Sequence, residues 1–142
     1  MIAYFDTSAL VKLYADEPGA KSAWAAALEA ELIATSIITY AEIRSAFARK
    51  LRFAEITALA LSRLKEQFEH GWESFQIVPI EDNTVRRAAE LAEAHGLKGF
   101  DAVHLASADL LGTRFGKVTF ACFDAELSRA ASACGMALWS SD

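Results

Sequence analysis

Cysteine, proline and glycine are scarce in this sequence, and no hydrophobic run is long. Two cysteines, Cys122 and Cys134, build neither a disulfide framework nor, by themselves, a structural zinc site. Two prolines and seven glycines among 142 residues exclude a collagen-like or linker-rich chain. No apolar run approaches the roughly 18 residues that a membrane span requires. The opening stretch MIAYFDTSAL has no basic segment and is broken at once by Asp6, so no signal peptide is expected. A reducing cytoplasm is then the expected compartment. Positive charge is also in deficit: 14 Lys and Arg face 19 Asp and Glu, a formal net charge of −5. As a bulk quantity, that balance speaks against a nucleic-acid partner. Apolar residues, at 54%, are plentiful. They suffice for the core of one domain spanning residues 1–142 and are too many for a disordered chain.

Short apolar runs alternate with longer helical stretches. Ile2 to Phe5 reads as a buried strand ended by Asp6. Ser8 to Ala15 reads as a short helix stopped by the turn Asp16-Glu17-Pro18-Gly19. A helix over Ala20 to Ala30 precedes a strand over Glu31 to Thr35. Ser36 is the expected N-cap of a helix carrying Tyr40, Ile43 and Phe47, and a further helix runs from Thr57 to Gly71. Phe75 to Ile80 is a strand in which Pro79 should end pairing. Asn83 should cap a helix to His95, with Gly96 as its stop. Lys98 to Leu111 reads as helix, Lys117 to Phe123 as strand, Ala125 to Cys134 as helix, and Met136 to Trp139 as a last strand. This alternation predicts an α/β fold with a central, mainly parallel, five-stranded sheet flanked by helices. Functional sites in such sheets collect at the carboxyl ends of the strands.

Four carboxylates fall at such places. Asp6 and Asp124 directly follow strands, Glu42 lies about a turn and a half into a helix, and Asp101 starts another after Gly99-Phe100. Converging carboxylates repel one another unless a cation or a helix N-terminus relieves them. An Asp/Glu set without Cys or clustered His suits Mg²⁺ or Mn²⁺ better than zinc. Such ions activate water and stabilise charge on a phosphoryl group. The plainer reading stays open beside this one: Asp101 and Asp124 as helix caps, Asp6 as a strand end, Glu42 as a solvated side chain.

Four segments then carry a family resemblance: DTSALVKLYADEPGA at 6–20, SIITYAEIRSAFAR at 36–49, AAELAEAHGLKGFDAVHLASA at 88–108, and FACFDAELSRAA at 120–131. In that order the chain resembles the PIN-domain ribonucleases, and among them the VapC toxins of type II toxin–antitoxin systems. The resemblance implies a PIN-like fold and a Mg²⁺- or Mn²⁺-dependent endoribonuclease, a hydrolase that cuts RNA. On it Asp6 and Asp101 match the two main metal-binding aspartates, Glu42 the helix glutamate and Asp124 the more variable fourth acid. Ser8 matches the small hydroxyl residue near the first aspartate, with a helix N-cap as the alternative role. The resemblance also implies a homodimer or higher assembly and a small antitoxin partner that inserts a basic side chain into the acidic site. No membrane partner is implied.

Six basic residues, Arg44, Arg49, Lys50, Arg52, Arg63 and Lys65, fall between positions 44 and 65, opposed there only by Glu55. This stripe begins two residues from Glu42, and Arg44, Arg49, Lys50 and Arg52 in it, together with Ser8, are candidate RNA contacts. A solvated helical face is the alternative. His104, three residues after Asp101, is read as a packing or supporting histidine rather than a ligand. His70 and His95 fall at helix ends, and the two cysteines read as buried reduced thiols. Trp24, Phe47, Leu61 and Phe68 read as core or an oligomer surface. The rivals to a nuclease are a phosphoaspartate receiver-like signalling domain and a catalytically silent PIN binding module. The receiver fits poorly, because the first strand is followed by one acid and the late strand offers no Lys at its carboxyl end.

Overall fold

β1 (Ile2–Phe5) is the middle strand of a five-stranded sheet, and three of its four residues, Ala3, Tyr4 and Phe5, are completely buried. The computed structural model describes residues 1–140. The other strands are β2 (Leu32–Ser36), β3 (Gln76–Val78), β4 (Val118–Ala121) and β5 (Ala137–Leu138). Their order is β3-β2-β1-β4-β5, and every neighbouring pair is parallel. A fully parallel sheet must be covered on both faces. The helices that cover it are α1 (Thr7–Leu10), α2 (Ala20–Glu29), α3 (Ile38–Arg52), α4 (Ala58–Trp72), α5 (Asp82–His95), α6 (Gly99–Phe115) and α7 (Ala125–Ala133).

Side chains alternate across a strand, so β1 feeds two cores. Ala3 and Phe5 pack with Ala9, Leu10, Ala26, Ile43, Phe47 and Phe68 of α1 to α4. Tyr4 faces the other way, among Leu91, Leu105, Phe120 and Leu127, against α5 to α7. Phe68 anchors α4: its ring lies 5.4 to 6.0 Å from those of Tyr14, Tyr40, Phe47 and Trp72, centroid to centroid. Phe47 and Phe68 are thus core, Leu61 packs partly buried against that core, and Trp24 stands about half exposed. Each fully buried aromatic contributes about 1.5–3 kcal/mol, so this cluster fixes the α3–α4 pair more firmly than its surface charges do. Among the described residues, no helix is long and apolar enough to cross a membrane.

The element types match the sequence reading, whereas several ends move. α1 lasts one turn and passes into a 3-10 turn, Val11–Leu13. Its cap is Asp6, not Ser8: the carboxylate accepts the Ala9 N–H at 3.0 Å. Ser36 closes β2 rather than capping α3, although its hydroxyl still accepts the Ile38 N–H at 3.2 Å. Asn83 lies inside α5, whose cap is Glu81, with the Thr84 hydroxyl accepting the Glu81 N–H at 3.1 Å. β3 stops at Val78, ahead of Pro79. Gly96 takes a left-handed conformation, φ 66°, and ends α5 as expected.

The strand order places the site. The chain leaves β1 toward β2 and β3, then returns to the opposite side of β1 as β4. A crevice opens at the carboxyl ends where the order reverses, here between β1 and β4. Asp6 follows β1 directly, and Asp124 stands three residues beyond Ala121, the residue that pairs with Phe5.

Candidate active site

Each of the four sequence-identified carboxylates stands at the carboxyl edge of the sheet, on a different element. Asp6 lies in the β1–α1 junction and is only 4% exposed. Glu42 is half-buried in the second turn of α3, Asp101 is half-buried in the first turn of α6, and Asp124 is the exposed N-cap of α7. The plain reading of Asp124 as a helix cap holds: its Oδ1 accepts the Leu127 N–H at 2.9 Å, and its Oδ2 takes no part in that bond.

Asp6 is held from three directions. Ser8 Oγ donates to both carboxylate oxygens, at 2.7 and 2.9 Å, and accepts the Phe123 N–H at 3.0 Å. Ser8 thus ties the β1 loop to the β4 loop, and its hydroxyl is fully engaged. Cys122 adds a third donor, its Sγ lying 3.3 Å from Asp6 Oδ2, and also accepts the Asp124 N–H at 3.2 Å. Burial, reinforced by the negative charge of Asp6, pushes the Cys122 thiol up to about 12, so it remains a protonated donor at neutral pH. Sequence reading treated this cysteine as an inert thiol. Its position one residue past the end of β4 was the available signal.

A buried chain of hydrogen bonds sets the orientation of Glu42. His104 Nε2 lies 2.8 Å from Glu42 Oε1, and the Thr7 hydroxyl donates to the same oxygen at 2.5 Å. His104 Nδ1 lies 2.8 Å from the Tyr4 hydroxyl. A carboxylate only accepts, so Nε2 carries a proton, and in the neutral ring Nδ1 accepts from Tyr4. His104 is 2% exposed, which makes this a fixed support rather than a surface contact. The spacing to Asp101 alone would also allow a metal ligand, and the family resemblance favoured a packing or supporting histidine; its partners Tyr4, Thr7 and Glu42 were not legible.

The electrostatics reflect crowding of like charge. Burial raises the Asp6 carboxyl, against the lowering effect of His104, Ser8, the Ala9 N–H and Cys122. Burial also raises Asp101, and the charges of Asp124 and Glu42 push it further. Glu42 is lowered on balance: burial pulls it up, but the bonds from His104 and Thr7 and the charge of His104 outweigh that. The donor set is all oxygen and opens to water, which suits a hard cation that keeps several of its own waters. Among the described residues, no three His, Cys, Asp or Glu side chains lie close enough to enclose an ion. Asp6, Glu42 and Asp124 rest on protein donors instead. A mostly hydrated Mg²⁺ or Mn²⁺ needs only one or two direct carboxylates, so this arrangement fits such an ion and not a closed protein cage.

A groove of about 610 Å³ opens beside Glu42. Thr7, Glu17, Glu42, Ser45, Arg49, Lys50 and Phe100 line it, among others. Arg49 is exposed and makes no ion pair among the described residues, while Lys50 pairs with Glu17 at 3.2 Å. Arg44, which the sequence placed in the same stripe, turns away toward α4. It pairs with Glu69 at 3.0 Å and lies 5.7 Å from the Tyr40 ring centroid. Arg52 is exposed at the end of α3. A helix cannot present every basic residue of a run to one side, and the stripe divides accordingly.

Comparison with known proteins accords with this geometry. The family model of the PIN domain matches residues 3–133. Ribonuclease VapC45 of Mycobacterium tuberculosis (strain CDC 1551 / Oshkosh) is 36% identical over 111 residues, covering 78% of this chain and 77% of the relative. The crystal structure of FitAcB from Neisseria gonorrhoeae is similar with a TM-score of 0.72 at 23% identity, covering 99% of this chain and 97% of that one. A toxin–antitoxin complex from Klebsiella pneumoniae gives a TM-score of 0.59 at 23% identity, covering 82% and 83%. At those identities the two structures speak to the fold.

Proposed function

Because the chain belongs to the PIN-domain family, we propose that it is a metal-dependent endoribonuclease, the toxin of a toxin–antitoxin pair. The observation that supports this reading is that Asp101 feels the charges of Asp124 and Glu42, while Asp6 directly follows β1 beside β4. The likeness to ribonuclease VapC45 supports RNA as substrate, and the likeness to a toxin–antitoxin complex supports a small protein antitoxin as partner.

Asp6, Glu42, Asp101 and Asp124 are the proposed holders of Mg²⁺ or Mn²⁺. When bound, the cation supplies positive charge to the phosphoryl group and acidity to an attacking water. The chain's own residues do the rest. Ser8, Cys122 and the Ala9 N–H fix Asp6 in one rotamer, so its oxygens do not reorganise during reaction. His104 and Thr7 both occupy Glu42 Oε1, leaving Oε2 to face the groove. One carboxylate of this set would orient the incoming water or take its proton. In-line attack by that water breaks the P–O3′ bond, leaving a 5′-phosphate on one product and a 3′-hydroxyl on the other. Arg49 and Lys50 line the approach and offset the phosphate charge.

Asp101→Asn tests the reading, because among the described residues the Asp101 side chain makes no hydrogen bond that the substitution would break. The expected result is at least a hundredfold loss of RNA cleavage with an unchanged unfolding temperature. Chelation should abolish wild-type cleavage, and added Mg²⁺ should restore it. Wild-type cleavage by a folded Asp101→Asn protein in Mg²⁺ buffer would overturn the assignment.

A further inference from the structure

Two phenylalanines stand directly before site carboxylates: Phe100 before Asp101 and Phe123 before Asp124. Both are exposed, yet their surroundings differ. Phe123 is already occupied. Lys12 Nζ sits 4.9 Å from its ring centroid, and its Cε1 edge lies against Gly19, 2.8 Å from where a Cβ there would fall. Gly19 has a φ of 93°, so the close approach and the left-handed backbone both require glycine there. Phe100 is 59% exposed and has neither an aromatic neighbour nor a cation over its ring among the described residues. It sits in the first turn of α6, on the rim of the groove that also holds Glu42 and Arg49.

We propose that Phe100 is a stacking platform for an unpaired nucleobase of the RNA, next to the phosphate that is cut. The proposal rests on the ribonuclease reading above and adds a base-binding subsite to it. A free aromatic face takes any base, because every base presents a π-face, so the subsite selects for an unpaired nucleotide rather than for a sequence. Arg49, exposed and without an ion pair among the described residues, supplies the neighbouring positive charge for a flanking phosphate. Ring, cation and carboxylate therefore line one groove, which can take base, phosphate and scissile bond together. Phe100 belongs to neither buried core cluster, so Phe100→Ala would open no core cavity. Its other side borders a mostly apolar groove lined by Val85, Ala88, Ala89 and Val103, with Lys98 as its one charged residue.

Steady-state cleavage of a single-stranded oligoribonucleotide by the full chain tests this, with Phe100 changed to Ala, Leu or Trp. The expected result for Phe100→Ala is a rise in KM of about tenfold or more, with kcat within about twofold of wild type. Phe100→Trp should restore KM, and Phe100→Leu should not. The same oligonucleotide carrying 2-aminopurine, bound in chelator without turnover, should show fluorescence quenching with wild type and lose it with Phe100→Ala. An unchanged KM in Phe100→Ala, or rescue by Leu equal to rescue by Trp, would overturn the stacking role while leaving the ribonuclease reading intact. An unchanged KM with an altered mass in light scattering would overturn it too, and would assign Phe100 to a protein contact. Absence of any RNA cleavage or binding by the wild-type chain would overturn both readings together.

Discussion

Single residues near the sheet edge do two kinds of work. Position alone left Asp6 open as a plain strand end, and the family resemblance singled it out as a candidate metal-binding aspartate. Its support was not legible, since Ser8, Cys122 and Phe123 meet it only through the pairing of β1 with β4. A consequence follows for mutagenesis. Asp6→Ala removes a cap and three further contacts, so it will lose stability as well as activity, a cap alone being worth about 1 kcal/mol. Tyr4 offers a cleaner probe of the buried chain. Its ring stacks on Phe120 at 5.6 Å, which Tyr4→Phe preserves, while the hydroxyl that serves His104 Nδ1 is lost. An unsatisfied buried nitrogen costs about 1–3 kcal/mol. A urea titration should show a lower midpoint at unchanged slope, together with slower RNA cleavage as His104 loosens its hold on Glu42. An unchanged midpoint and rate would mean that Nδ1 has no need of the hydroxyl.

Whole elements were read more securely than their ends. Strong alternation of apolar runs and helical stretches marked every strand and every longer helix. Ends depend on which side chain reaches which N–H, and neighbouring residues compete for that role. Glu81 and Thr84 took the α5 cap that Asn83 was expected to supply, and Ile37 follows a Ser36 that still belongs to β2. α7 shows how a cap and a site carboxylate share one side chain. Asn caps a helix about as well as Asp, whereas Ala costs about 1 kcal/mol. Asp124→Asn should therefore keep the unfolding temperature of the wild type and lose RNA cleavage. Asp124→Ala should lose cleavage and a few degrees of stability. Thermal melts beside cleavage rates separate the two roles, and equal activity in Asp124→Asn would leave the residue only its cap.

At the scale of the molecule, the net charge of −5 misdirects and its distribution informs. Acids collect at the switch point, and the groove beside them carries Arg49 and Lys50. The sequence placed the basic stripe near Glu42 but could not show that Arg44 would turn to Glu69, because helical facing is decided by what packs opposite. Glu17 is the group that joins the groove to the rest of the fold. It accepts from Lys12 at 2.9 Å and lies 3.2 Å from Lys50, so it links the turn before α2 to the 3-10 turn and to α3. Burial alone would raise its carboxyl, but the two lysines outweigh that and hold it below the ordinary value of 4.5. A carboxyl lowered by folding stabilises the native state above its unfolded value, and that stabilisation disappears as pH falls through the folded one. Because the pair reaches solvent, its worth is about 1 kcal/mol or less and is screened by salt. Glu17→Gln should thus melt slightly below wild type at pH 7. The gap should close as the pH is lowered toward 3, and it should shrink at pH 7 when salt is raised. Melting curves of both proteins across that range measure it directly. A gap that ignores both pH and salt would mean that Glu17 acts by packing in the turn and not by its charge.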